Sequence, residues 1–231
     1  MKKIKLPQFP HPDNANEYGL LAIGGDLSME RLLAAYSQGI FPWYSPGEPI
    51  LWHSPDPRML LFPENLNVSK SMRRVFNQNK FTFTSDKAFE AVIKACSEIP
   101  RSGQEGTWIT QEMMEAYISL HKAGFAHSVE VWSAENKLVG GIYGVSIGKA
   151  FFGESMFSKV SNASKAALIK LTQALQVQGF DFVDCQVYTE HLESMGAQLY
   201  PRTFFLEKLS DSIKKPGLNV EKWADLFAEN Q

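Results

Sequence analysis

Two short segments place an acid or an amide inside an apolar run. In Asp181-Phe182-Val183-Asp184-Cys185-Gln186-Val187, strand alternation puts Asp184 and Gln186 on one face and Val183, Cys185 and Val187 on the other. A buried acid beside a buried amide needs partners, so the pair reads as a site or as a surface-facing strand end. In Phe151-Phe152-Gly153-Glu154-Ser155-Met156-Phe157-Ser158, alternation groups Phe152, Glu154 and Met156. A Glu among Phe and Met is expected to be paired or functional. The nearby Gly140, Gly141, Gly144 and Gly148 are read as bulges or as room for a ligand or backbone to approach.

Three further features could bind rather than react. The loop Ser161-Asn162-Ala163-Ser164-Lys165 starts a helix, where free N–H groups attract anions and Lys165 adds a charge; an ordinary Ser/Asn cap reads the same. It lacks the glycines and basic cluster that hold a pyrophosphate. Lys70, Arg73, Arg74 and Lys80 occur with no acid between Asn65 and Lys80, as a solvated helix face or as phosphate contacts. Trp43, Tyr44, Trp52, His53 and Trp108 sit in Pro-rich or polar loops, where they stack on an unpaired base or pack under the loop. His191 is a remaining candidate base, but it forms no Ser/His/Asp arrangement with Ser194. There is no G-x-S-x-G elbow, zinc spacing, Walker A or G-x-G-x-x-G. Hydrolase, zinc enzyme, NTPase and dehydrogenase readings therefore fall behind.

The elements that would position these groups follow from pattern. The first 61 residues read as loop, one helix ending at Gly39, then Trp/Pro-rich loops. Beyond them the pattern is α+β. A basic helix runs over 69–78, a strand over 81–84, and a helix over 85–95. The polar stretch 97–106 leads to Thr107-Trp108-Ile109 and a helix over 111–123. Strands are expected over 126–132, 138–145 and 150–157, then a helix over 163–178 and a strand over 180–187. A short helix over 191–195 and an extended segment over 199–206 complete the pattern. Meander, long helix, strand, short helix, strand is the order of the acyl-CoA N-acyltransferase fold. Two domains are expected, 1–61 and 62–231.

Composition bounds the function. Of 231 residues, 44% are hydrophobic and 21% charged, enough for a proper core and against a disordered tail. A net charge of -2 argues against bulk-charge binding of nucleic acid but allows a local basic patch. Cys96 and Cys185 are too few for a disulfide scaffold. No apolar run reaches membrane-spanning length, and the start Met1-Lys2-Lys3-Ile4-Lys5-Leu6-Pro7 has no signal-peptide core, so no membrane partner and a cytoplasmic location are expected.

Several unusual segments occur together in one order. They are Asn16-Glu17-Tyr18-Gly19-Leu20-Leu21-Ala22-Ile23-Gly24-Gly25-Asp26-Leu27, Gly39-Ile40-Phe41-Pro42-Trp43, Trp52-His53-Ser54-Pro55-Asp56-Pro57-Arg58 and Gly106-Thr107-Trp108-Ile109-Thr110. Phe152 to Ser158, Asn162-Ala163-Ser164-Lys165 and Asp184-Cys185-Gln186 complete the set. From about Asn16 to Arg202 the chain resembles the leucyl/phenylalanyl-tRNA–protein transferases. The resemblance implies a small N-terminal domain on a domain like that of the N-acyltransferases (GNAT-like). It implies an aminoacyl-tRNA donor carrying Leu or Phe, with Met a further option. The acceptor is a protein with N-terminal Arg or Lys, and the product a destabilising N-terminus that marks the protein for degradation. No metal, CoA or other cofactor is implied. The donor site would be formed by Trp43, Phe151, Gly153, Glu154 and Met156, with Ile142, Leu171 and Val183 at pocket positions where other members carry Met, Phe and Ile. Asp184 and Gln186 would stand at the reaction centre, Asp184 as base or as a positioning group. His53 stands where Trp is expected. Lys70, Arg73, Arg74, Trp108 and Lys165 are the candidate tRNA contacts. The rival readings are a CoA-dependent N-acetyltransferase and a non-catalytic RNA-binding module.

Overall fold

The structure is a computed structural model, describing residues 7–99 and 108–227. Gly106, Thr107 and most of the polar stretch before them lie outside the described residues.

Aromatic and β-branched residues between turn-forming Gly and Pro make short strands near the start of the chain. β1 (Leu20–Ile23), β2 (Phe41–Pro42) and β3 (Leu51–His53) form an antiparallel sheet in the order β1-β3-β2. Pro42 lies on the edge strand, where its missing N–H costs no ladder bond. The Trp/Pro-rich segment, expected as loop, is thus partly sheet. α1 (Met29–Tyr36) connects β1 to β2 and ends before Gly39, whose φ is +74°.

The larger sheet has seven strands: β4 (Arg58–Leu61), β5 (Thr82–Ser85), β6 (Ala126–Trp132), β7 (Leu138–Ile147), β8 (Ala150–Ser158), β9 (Phe182–Gln186) and β10 (Gln198–Tyr200). Their order is β10-β4-β9-β8-β7-β6-β5. The meander β6-β7-β8 falls where alternation and the Glu135-Asn136 turn predict it. β8 and β9 pair in parallel and the other neighbours antiparallel. Mixed α+β architecture is therefore observed. β4, which a boundary after residue 61 leaves with the N-terminal part, is the second strand of this sheet.

The helices are α2 (Lys70–Asn77), α3 (Phe89–Glu98), α4 (Gln111–Lys122), α5 (Ala163–Val177), α6 (Glu190–Ser194), α7 (Arg202–Ser212) and α8 (Val220–Ala224). The Ser69 and Thr110 side chains cap α2 and α4 by accepting from the N–H groups of Met72 and Met113. One face of the sheet packs Leu60, Tyr143, Phe152 and Phe182 with residues of α1, α3, α4 and α7. The other packs Leu61, Ile142, Phe151 and Val183 with α5 and Trp223 of α8. Gly140 lets α5 approach β7, since a Cβ there would lie 2.5 Å from that of Ala163.

Two element expectations change. α3 starts at Phe89, because Ser85 still pairs with Val129 and Asp86 turns the chain at φ 55°. The segment 199–206 is strand only to Tyr200. Pro201 then opens α7, its fixed φ suiting a helix start. Among the described residues, no helix is long and apolar enough to cross a membrane.

Candidate active site

The parallel pairing of β8 and β9 runs from Ala150↔Phe182 to Phe152↔Asp184. Beyond it each strand carries one extra residue against its outer neighbour. β7–β8 register passes from Gly144↔Gly153 to Tyr143↔Ser155, leaving Glu154 over. β4–β9 register passes from Leu60↔Asp184 to Met59↔Gln186, leaving Cys185 over, and Gln186 adopts φ 64°. Bulges bend their strands. These two sit at adjacent positions on strands that then stop pairing, and a cavity of about 300 Å³ opens there.

The first bulge corrects a sequence expectation. Met156 does not share a face with Phe152. Phe152 and Phe157 pack in one core, while Phe151 and Met156 pack in the other. An inserted residue advances the two-residue period by one, so the strand changes faces at Glu154.

Of the candidate donor residues, Trp43, Ile142, Gly153, Glu154, Met156 and Val183 line the cavity, with Gln186 and Trp108. Phe151 and Leu171 are buried behind the wall. Phe151 packs 5.8 Å from the Trp223 ring, and Leu168, one turn earlier on α5, lines the cavity. Asp184 is fully buried and does not reach the wall. Its Oδ1 accepts from Arg58 Nε at 2.8 Å and from the Gln186 backbone N–H at 2.9 Å. Its Oδ2 accepts from Arg58 Nη2 at 2.7 Å. Arg58, also fully buried, lies 4.8 and 4.6 Å from the Phe41 and Phe205 ring centroids and donates from Nη1 to Gly39 O. This two-pronged pair ties β4 to β9 and holds the N-terminal segment against both.

Glu154 is the buried carboxyl that lines the cavity. Its Oε1 accepts from Gln186 Nε2 at 2.8 Å and its Oε2 from Tyr117 OH at 2.9 Å. Tyr117 OH is in turn hydrogen-bonded to Tyr36 OH. Burial pushes the Glu154 carboxyl from 4.5 up to about 7, against hydrogen bonds from Tyr36, Tyr117 and Gln186 that pull it down and Asp184, which pushes it further up. Burial and then the nearby Glu154 raise both tyrosines, so they stay protonated donors. Near neutral pH this group can take or release a proton at the cavity wall. Burial raises the Cys185 thiol and keeps it protonated, which removes it as a nucleophile.

The cationic candidates lie elsewhere. Lys70, Arg73 and Arg74 are exposed on α2 and none lines the cavity. Lys165 is half-buried in the first turn of α5. Burial first, and then the Lys165 charge, lower the pKa of His191, which does line the cavity. At the same helix start Ser164 N–H is bonded to Ser158 Oγ at 3.3 Å. His53 sits behind Trp43, ring centroids 5.9 Å apart, and burial lowers its pKa.

Sequence reasoning missed Arg58, Tyr36 and Tyr117. A lone Arg ahead of Met59-Leu60-Leu61 was the available signal for the first. The tyrosines stand on helices, and their hydroxyl partners lie far away in sequence. Asp86, His121 and His127 could together hold a metal ion. Three of the four ring nitrogens are engaged, however: His127 bonds Asp86 Oδ2 at 2.7 Å and Gly124 O at 3.2 Å, and His121 Nδ1 bonds Ala126 O at 2.8 Å. The group reads as a clamp between β6, α4 and the start of α3.

Comparison with known proteins adds three findings. A family model described as leucyl/phenylalanyl-tRNA protein transferase matches residues 60–210, and one for the N-terminal domain of the same proteins matches residues 25–56. The chain is 56% identical over 217 residues to the leucyl/phenylalanyl-tRNA–protein transferase of Myxococcus xanthus, covering 94% of this chain and 92% of the relative. It is 56% identical over 214 residues to the protein of the same name from Syntrophus aciditrophicus, covering 93% and 89%.

Proposed function

Because this chain belongs to the leucyl/phenylalanyl-tRNA–protein transferase family, we propose that the cavity between β8 and β9 holds the amino acid of an aminoacyl-tRNA while it is transferred. The enzyme is an aminoacyltransferase acting on protein N-termini. Leu and Phe are the proposed donor residues, with Met a further option, and N-terminal Arg or Lys the proposed acceptor. The observation that carries this reading is a mostly apolar cavity with the Glu154–Gln186 hydrogen bond in its wall. At about 300 Å³ it is at the low end of ligand pockets, which suits one side chain rather than a whole cofactor.

In the reaction the acceptor's α-amine attacks the ester carbonyl. A C–N bond forms, the C–O bond to the tRNA ribose breaks, and the amine loses a proton. A free α-amine has a pKa of about 7.7–8.0, so modest help suffices. Gln186, held by Glu154 and by its own N–H on Asp184, orients the amine. Asp184 acts at one remove: with both oxygens engaged it fixes β9 and Arg58. Glu154 takes the proton, which then passes to the leaving ribose oxygen. Trp43 and Trp108 pack against the donor, and Ile142, Met156 and Val183 form the apolar walls. Phe151 and Leu171 support these walls from behind. Lys70, Arg73, Arg74 and Lys165 contact tRNA phosphates.

The order of meander, crossing helix and parallel strand supports an N-acyltransferase-like fold. The split of the family models between residues 56 and 60 supports a small N-terminal domain, with β4 counted in the larger one. A product beginning with Leu or Phe would be a destabilising N-terminus, and the supply of charged tRNA makes the cytoplasm the proposed location. Radiolabelled Leu-tRNA and Phe-tRNA with an Arg-starting peptide test the function. Label is expected in the peptide. Acetyl transfer from acetyl-CoA without aminoacyl transfer, or tRNA binding without turnover, would favour one of the two rival readings instead.

A further inference from the structure

On the α5 face of the large sheet, at its β5 edge, lies a second cavity of about 600 Å³ that shares no residue with the first. Phe76 of α2, Phe83 of β5 and Phe227 form one wall, with ring centroids 6.1 and 6.4 Å apart in sequence along it. Phe76, Phe81 and Phe83 are only half-buried. Lys170 of α5 holds its Nζ 5.4 Å from the centroids of both Phe76 and Phe83. Lys80 stands at the rim. Among the described residues neither lysine has a carboxylate within salt-bridge distance. The exposed Lys70, Arg73 and Arg74 lie on α2, the helix that leads into the groove.

Half-buried aromatic rings beside cations that no carboxylate neutralises suit a ligand that is planar at one end and anionic at the other. A nucleotide has that chemistry: its base stacks and its phosphate meets the ammonium groups. The groove lies three strands from β8. At about 4.8 Å per strand that is about 15 Å to the side of the donor cavity. A stacked strand advances about 3.4 Å per nucleotide, so about four nucleotides cover that distance. We propose that this groove takes an unpaired base of the donor tRNA's 3′ end, with Lys170 and Lys80 on the adjoining phosphates. The proposal rests on the donor reading above.

The test compares two donors, phenylalanyl-tRNA and phenylalanyl-adenosine, with an Arg-starting peptide. The small donor cannot reach the groove. Phe76→Leu keeps the groove apolar and removes a stacking face. Lys170→Ala removes the ammonium and its stem beyond Cβ from a half-buried position and puts a good helix former in its place. Each variant is expected to raise KM for phenylalanyl-tRNA at least fivefold, to change kcat less than twofold, and to leave both constants for phenylalanyl-adenosine within twofold of wild type. An unchanged KM for tRNA in Phe76→Leu overturns the proposal, and so does an equal loss with both donors. An effect in Lys170→Ala alone also overturns it, since that is a phosphate contact without a base. Failure of the wild-type protein to use either donor would instead overturn the donor reading.

Discussion

Glu154→Gln should make the protein more stable at pH 8 than the wild type, by about 3 kcal/mol more than at pH 4.5. The carboxyl ordinarily titrates at 4.5 and is held at about 7 in the fold. Below pH 4.5 it is protonated in both folded and unfolded chains and contributes no difference. As pH rises the unfolded chain releases the proton first, so stability falls, and the fall is complete once pH passes the folded value. A gap of about 2.5 units at 1.36 kcal/mol each gives about 3 kcal/mol, a large part of the 5–15 kcal/mol typical of a domain. Gln is neutral throughout and keeps the local bonds. Its oxygen accepts from Gln186, and its amide donates to Tyr117 OH, whose own proton then turns from residue 154 to Tyr36. Urea denaturation of both proteins at pH 4.5 and pH 8 measures the effect. A stability difference that stays constant across that range would refute both the burial argument and the assignment of Glu154 as a group near its midpoint at neutral pH. The same variant should lose transfer activity while gaining stability, a combination that damage to the fold cannot produce.

Two other substitutions probe the frame around the site. Arg58→Met should destabilise by about 3–5 kcal/mol in urea, because it strands a fully buried Asp184 without its partner; a loss below about 1 kcal/mol would mean that the pair is not closed to water. Gly144→Ala should fail to give soluble protein with a native circular dichroism spectrum. Its Cβ would lie 2.1 Å from the Phe152 carbonyl oxygen, on backbone that cannot swing aside, and a cost above about 4 kcal/mol is expected of such strain.

The sheet was legible in the sequence where alternation is unbroken. β6 falls on the expected residues, and β7 and β8 differ by one or two at their ends. The helix over 163–178 was legible from its apolar stripe. The segment 199–206 was not, because Tyr200, Phe204 and Phe205 suit a strand as well as a helix and the break at Pro201 is one residue wide. Asp184, Gln186 and Glu154 were visible as polar residues in apolar runs. Their division of labour was not. Nothing local tells that Asp184 faces an arginine 126 residues earlier, or that Glu154 meets a tyrosine 37 residues earlier. Residues in no regular period, such as the one inserted at Glu154, leave no trace in a pattern search, because a bulge and a change of face look alike.

That inserted residue also determines which one-residue deletion β8 can absorb without turning over. Most single substitutions in β8 alter one contact. Loss of one codon at 154 would remove the carboxylate but restore an unbroken two-residue period, with Ser155 still opposite Tyr143 and Met156 still opposite Ile142, so Met156 and Phe157 keep their cores. Loss of a codon elsewhere in β8 can be absorbed only by turning over every residue between that position and 154. A deletion scan across 150–158 should therefore show folded protein retained best when residue 154 is the one removed, with transfer activity lost along with its carboxylate.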